Sequence, residues 1–187
     1  CRPGSDFKFY NNKKEFELIY IYRDAPWKRS NSFIQIINLL DSMLKYKINV
    51  LLINFNIKFT KKYKNINFNY LPWLEPNELN KQFSRSKIIL STSKNEGFGM
   101  PFLEAMRSGC ISITPEKGGT SEFVINNFTG YTYHDNNYKE FIANKIINII
   151  DNYNEEKIKK IIDNSLKYTQ KFTWENSRLE FELLSKK

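Results

Sequence analysis

Histidine, cysteine and glycine are scarce in this chain of 187 residues, which has one His, two Cys and seven Gly. The single histidine, His134, cannot build a histidine metal site, and no Asp-x-Asp pair is present to hold a divalent ion on a diphosphate. Cys1 and Cys110 form no disulfide framework. Cys110 follows Gly109 at the mouth of an apolar stretch and reads as a buried thiol, which fits a reducing, cytoplasmic setting. No apolar run approaches the roughly 20 residues that span a bilayer. The opening residues lack the layout of a signal peptide. Internal repeats and low-complexity linkers are missing too, so the chain reads as one domain.

What is present excludes disorder. At 41% hydrophobic and 16% aromatic the chain can bury a real core. Its formal charge of +9 admits nucleic acid, an anionic membrane surface or an anionic substrate as partner. The lysines are scattered rather than clustered with stacking aromatics, which argues against nucleic acid. A cytoplasmic protein in peripheral contact with the inner face of a membrane is compatible with the charge.

Strand and helix signals alternate along the chain. Glu17 to Tyr22 predicts a strand, and Ser30 or Asn31 can cap a helix over Ser32 to Lys45, with Phe33, Ile36, Ile37, Leu40 and Leu44 on one face. Val50 to Phe55 predicts a strand buried on both faces, Lys58 to Asn65 a polar connection, and Ile66 to Tyr70 a short strand. A helix follows from Glu75-Pro76 to near Arg85, with Leu79 and Phe83 as core residues. Ile88 to Leu90 and Cys110 to Thr114 predict strands. Thr120 and Ser121 can cap a short helix, and Asn127 to Tyr131 turns into a last strand. Asn137 to Asp151, Glu155 to Lys171 and Trp174 to Leu184 read as helices. Ile158, Ile161, Ile162 and Leu166 form a stripe that suits a core-facing helix better than a membrane-surface one. The alternation predicts an α/β fold, a doubly wound parallel sheet with its site at the switch between strand orders.

The most informative stretch is Glu96-Gly97-Phe98-Gly99-Met100-Pro101-Phe102-Leu103-Glu104. An apolar strand ends in Ser91, Thr92 and Ser93. Two glycines turn the chain, and Pro101 suits a first helical turn because its missing N–H has no intrahelical partner there. A helix opening above a strand end offers unpaired amides and a favourable dipole to an anion. Glu96 and Glu104 flank that turn. Two carboxylates beside a phosphate site make sense if the ligand also carries hydroxyls, so the local reading is a sugar-nucleotide site.

Taken together, the seven-residue spacing between Glu96 and Glu104 and the following Glu104-Ala105-Met106-x-Ser108-Gly109 resemble the signature of retaining GT-B glycosyltransferases of the family 4 type. Lys117-Gly118-Gly119-Thr120-Ser121-Glu122 fits that family's Gly-Gly-x-x-Glu turn, and Phe172-Thr173-Trp174-Glu175 fits its closing helix. The resemblance runs from Pro3-Gly4-x-Asp6 to the last helix, and it implies the C-terminal, Rossmann-like half of a GT-B fold, with the N-terminal acceptor lobe absent from this chain. It implies hexose transfer from a nucleotide diphosphate sugar to a glycan, lipid-linked or other hydroxyl acceptor, with retention and without a metal or other cofactor. Arg23 and Lys28 match the family's basic pair on the diphosphate, although Tyr22 and Arg29 stand where glycines are usual, and Arg29 could substitute for either. The amides of Gly97, Phe98, Gly99, Met100 and Pro101's turn would take the phosphate, Glu104 the ribose hydroxyls, and Glu96 a hexose hydroxyl. Gly119 and Thr120 would offer an amide and a hydroxyl near the sugar. The nucleobase would lie against the turn after Ile66–Tyr70, which groups Leu71 and Leu79 with the nucleotide contacts and gives Trp73 a ring to stack. The last helix would brace the other lobe, leaving Phe172, Trp174 and Phe181 partly exposed.

Three rivals stay open on the sequence alone. One is a non-catalytic nucleotide-sugar subunit that docks a separate acceptor lobe. Another is a GT-B enzyme of different chemistry, such as a sugar-nucleotide epimerase. The third is nucleic-acid binding, which would show a steep salt dependence.

Overall fold

A computed structural model describes residues 3–55, 59 and 61–185. Cys1 of the opening segment, and Lys58 and Thr60 of the connection, lie outside the described residues. The elements run β1 (Phe16–Ile21), a 3-10 turn (Pro26–Lys28), α1 (Ser30–Met43), β2 (Ile48–Ile53), β3 (Ile66–Leu71), α2 (Pro76–Ser84), β4 (Ser86–Leu90) and α3 (Met100–Arg107). They continue with β5 (Ile111–Pro115), a second 3-10 turn (Gly119–Glu122), β6 (Tyr131–Tyr133), α4 (Tyr138–Asp151), α5 (Glu156–Thr169) and α6 (Trp174–Ser185). All six strands are parallel, in the order β3-β2-β1-β4-β5-β6. The doubly wound sheet is therefore present.

Side-chain alternation along β1 explains why both faces are covered. Leu18 and Tyr20 point into a cluster with Phe33, Ile36, Ile37 and Leu40 of α1 and Ile142 and Ile146 of α4. Ile19, between them, joins the opposite cluster with Phe83 of α2 and Leu103 and Met106 of α3. Each such fully buried side chain stabilises the fold by roughly 1.5–3 kcal/mol. On α5, Ile158 and Ile161 are buried and Ile162 packs against the core, so the stripe faces inward. Among the described residues no helix is long and apolar enough to cross a membrane.

The structure corrects three local expectations. Neither Ser30 nor Asn31 caps α1; the N-cap is Arg29, left-handed at φ 50°, because the 3-10 turn Pro26–Lys28 must be reversed before the helix can start. Thr120 and Ser121 do not cap the second short turn. Gly118 precedes it, and the Ser121 hydroxyl donates to the Gly118 carbonyl at 2.7 Å. Phe172 is buried, not exposed, against Phe98, Phe123 and Tyr168, and its carbonyl accepts the Ser5 N–H at 2.9 Å. Trp174 and Phe181 of α6, 53% and 63% accessible, do face solvent.

β1 and β4 lie side by side, yet β1 leads into α1 on one face and β4 into α3 on the other. The chain parts above this pair, and a crevice is left at their carboxyl ends.

Candidate functional site

That crevice is a cleft of about 400 Å³, within the range of ligand sites. Its walls include Arg23, Trp27 and Lys28 from the β1–α1 loop, Glu96 through Gly99 from the β4–α3 loop, and Met100, Pro101 and Phe102 from the first turn of α3. Two segments separated by some seventy positions in the chain thus meet, as the motif reading required.

Glu96 is the most constrained group in the cleft. It is 7% accessible, and its Oε1 accepts the Ser91 and Ser93 hydroxyls at 2.8 and 2.6 Å. Lys28 Nζ donates to Oε1 and Oε2 at 2.9 and 2.7 Å. Ser91 and Ser93 leave the end of β4 two residues apart, so their hydroxyls fall on one side of extended backbone. Oε2 holds one bond and keeps a lone pair for another donor. The Lys28 backbone is fixed in turn: its carbonyl accepts the Thr92 hydroxyl at 2.8 Å, and the Tyr20 hydroxyl lies 3.0 Å from that same Thr92 oxygen. Burial raises the Tyr20 phenol above its ordinary range, which keeps this brace neutral.

Arg23 remains exposed at the other end of the cleft, its guanidinium 5.6 Å from the centre of the Trp73 ring. Arg29, the substitute candidate, is turned away. Its fork grips Asp135 at 2.5 and 3.0 Å, on the far side of the loop, because the left-handed residue reverses the chain there.

The β4–α3 loop is built as expected up to its glycines. Gly99 is left-handed at φ 83° and caps α3, and its carbonyl accepts the Phe102 and Leu103 N–H groups at 2.9 and 3.3 Å. Pro101 supplies no N–H. Among the described residues the N–H groups of Gly97, Phe98, Gly99 and Met100 have no backbone acceptor, so this is where free donors are available. The Gly118–Gly119 turn clamps the loop from behind. Gly119 N–H donates to the Glu96 carbonyl at 3.0 Å, and a Cβ on Gly119 would stand 2.0 Å from the Gly97 carbonyl oxygen. Any side chain at 119 is excluded by that approach. The Gly119 amide is accordingly a brace rather than a free donor. Thr120 is fully buried, with its hydroxyl unpartnered among the described residues, and it is not on the cleft wall.

Glu104 sits one helical turn beyond Met100, and such i, i+4 residues share a helix face. Met100 lines the cleft. Among the described residues the Glu104 carboxylate has no hydrogen-bond or ion-pair partner, and burial alone pushes it up to about 7. Glu96 is on the cleft wall and has its charge met by Lys28, whereas Glu104, in the middle of α3, is not on that wall and its carboxyl is unpartnered among the described residues.

The nucleobase side is less complete. Leu71 ends β3 and is half-buried against the core, whereas Leu79 of α2 is 7% accessible inside it and is not on the cleft wall. Leu79 is a core residue because α2 turns its apolar side to the sheet. Trp73 is 52% accessible beside Arg23. Sequence reasoning did not assign roles to Ser91, Ser93 and Trp27. A run of hydroxyls closing an apolar strand was the available signal for the serines. Among the described residues no group of three or more His, Cys, Asp or Glu could hold a metal ion.

The chain is 32% identical over 95 residues to a lipopolysaccharide 1,2-N-acetylglucosaminetransferase of Salmonella typhimurium, covering 51% of this chain and 24% of that protein. The matched region spans about a quarter of the length of the curated relatives. The fold superimposes on the C-terminal domain of LpcC, a glycosyl transferase group 1 family protein of Francisella tularensis, at TM-score 0.68 and 20% identity, covering 90% of this chain and 96% of that one. It superimposes equally on Anabaena HepE, solved with UDP-glucose, at TM-score 0.69 and 19% identity, covering 91% of this chain and 49% of that one. A family profile described as glycosyl transferases group 1 matches residues 2–168, and the chain belongs to that family.

Proposed function

We propose that this chain supplies the nucleotide-sugar donor site of a retaining, family 4 type glycosyltransferase, which moves a hexose to a hydroxyl acceptor held by a second, acceptor-binding lobe. The observation that carries the reading is the meeting of Lys28 and Glu96, at 2.7 Å, beside a left-handed Gly99 that opens α3. A diphosphate on the Gly97–Met100 amides would lie between Arg23 and Lys28. Lys28 has three N–H donors and spends two on Glu96, so one remains for a phosphate oxygen. The free lone pair on Glu96 Oε2 would take a hexose hydroxyl and orient the ring. Glu104, ionised, would accept both ribose hydroxyls.

In the transfer step the bond from the anomeric carbon to the diphosphate oxygen breaks, and its electron pair stays on the diphosphate. The acceptor oxygen bonds to that carbon from the face the diphosphate leaves, and its proton passes to a phosphate oxygen. Arg23, Lys28 and the amides neutralise the developing charge, each contributing on the order of 3 kcal/mol. Neither glutamate acts as a base. Charge neutralisation falls to these groups rather than to a metal ion, so nucleotide affinity should be unchanged by EDTA.

Calorimetric titration tests the site. UDP-glucose, which HepE holds, is the first probe, with GDP and ADP sugars beside it. Binding is expected for the wild type and weakened for Glu104→Ala. Equal heats for the two proteins would remove Glu104 from the ribose.

A further inference from the structure

A second hollow, of about 330 Å³, opens on the same rim at the carboxyl ends of β5 and β6. Only the loop that bears Lys94, Asn95 and Glu96 separates it from the donor cleft: Lys94 and Asn95 line the hollow, and Glu96 lines the cleft. Its frame is rigid. The buried Tyr133 hydroxyl reaches the Ser91 and Ser93 carbonyls at 3.1 and 3.2 Å, Glu116 N–H donates to the Tyr133 carbonyl at 3.0 Å, and Lys94 N–H donates to the Trp27 carbonyl at 2.9 Å.

The charges around it are unevenly engaged. Asp135 is taken by the Arg29 fork, and Glu116 Oε2 lies 2.7 Å from His134 Nδ1. Lys94 and Lys117 line the same hollow, and among the described residues neither is in ion-pair contact with a carboxylate, although both act on Asp135 through space. The hydrogen bonds from Arg29, helped by the charges of Arg29, Lys94 and Lys117, hold the Asp135 carboxyl below the ordinary carboxylate range, so the two ammonium fields converge on this spot. Two spare cations, with the side chains of Asn95 and Asn136 beside them, form a donor set suited to an oxyanion.

We propose that this hollow binds a phosphate or carboxylate group carried by the hydroxyl acceptor. That an acceptor brings the anion rests on the donor-site reading above; that the hollow takes an anion does not. A charged group held here would keep the attached sugar beside the Lys28–Glu96 end of the cleft, one loop away. The chain's net charge of +9 would draw such an acceptor in.

His134 lines the hollow and is the only histidine in the chain, so its ring-proton NMR signals report on this site alone. Inorganic phosphate, glucose 6-phosphate, glucuronate and glucose are titrated at fixed pH, with and without saturating UDP. The three anions should move the His134 signals saturably and glucose should not. Glucose 6-phosphate should bind more tightly than free phosphate, and UDP should leave its midpoint unchanged. Lys94→Ala and Lys117→Ala should each weaken binding on the order of tenfold. Both lysines are exposed, and unchanged melting curves would show that the variants fold.

The anion site is overturned if no saturable movement occurs, or if the lysine variants respond like the wild type, which would mean an adventitious ion only. It is also overturned if UDP abolishes the response, because the anion would then be entering the donor cleft. Equal affinity for phosphate and its sugar ester would overturn the acceptor assignment. UDP binding, measured separately by calorimetry, decides the donor reading. If UDP fails to bind, the phosphate titration still decides the hollow.

Discussion

Glu96 and Glu104 bracket one loop and its helix, yet they live under opposite rules. Glu96 is held by Lys28, Ser91 and Ser93 before any ligand arrives. Glu104 is partly buried, its carboxylate has no partner among the described residues, and burial pushes it up to about 7. The first has its charge compensated within the fold. The second carries an uncompensated desolvation cost, which a ligand with two hydroxyls would relieve. The contrast teaches that acidic residues at equal standing in a motif can divide the work, one organising the protein and the other left, on the proposed function, for the ligand.

The sharpest way to break the comparison is Lys28→Met. It leaves the buried Glu96 carboxylate with two hydroxyls and no cation, and should destabilise the fold by about 2–3 kcal/mol in urea unfolding at neutral pH. Glu104→Gln should do the reverse and raise the melting temperature at pH 8, because it removes an unpartnered buried charge. An equal loss of stability from both variants would erase the distinction.

Next in size is a pH effect. Burial pushes the folded Glu104 carboxyl up to about 7, from the ordinary 4.5, so the folded state binds the extra proton in that window. This group's contribution to stability is fully present below about 4.5 and is lost as pH rises through about 7. Ligand binding has the opposite sign, since the ribose hydroxyls need the ionised form. UDP affinity measured by calorimetry should fall about tenfold from pH 8 to pH 6, one unit below that value. Glu104→Gln should bind weakly at both pH values. A pH dependence that survives in the Gln variant would assign it to another group.

The smallest effect concerns Arg23. Its contact with Trp73 should hold the guanidinium at the cleft mouth, and such contacts contribute about 0.5–1 kcal/mol at exposed sites. Trp73→Ala should therefore weaken UDP binding a few-fold and leave uridine binding unchanged. If uridine binding falls equally, Trp73 is stacking on the base instead.

Much of this molecule was legible in its residues. Apolar runs located the central strands within a residue or two, as Glu17–Tyr22 against the observed Phe16–Ile21 shows. A tight turn at Gly97 and Gly99 was legible from the glycines themselves, although only Gly99 is left-handed. What escaped was set by contacts distant in sequence. Nothing near Lys28 announces that Glu96 will take its charge, and nothing near Arg29 announces Asp135, 106 positions away. Gly119 read as a free amide because its pairing with the Glu96 carbonyl appears only when two loops meet. Leu79 was ambiguous for a related reason: its helical spacing says that it faces inward, whereas its place after β3 suggested the ligand.

The junction of Gly119 with Gly97 carries a practical consequence. With a would-be methyl only 2.0 Å from a carbonyl oxygen, the two turns meet backbone to backbone and leave no room for a side chain at Gly119. A laboratory effort to reshape this loop therefore has no freedom at position 119. It would vary Gly97, which has open space where a side chain would stand, or its neighbours Phe98 and Met100.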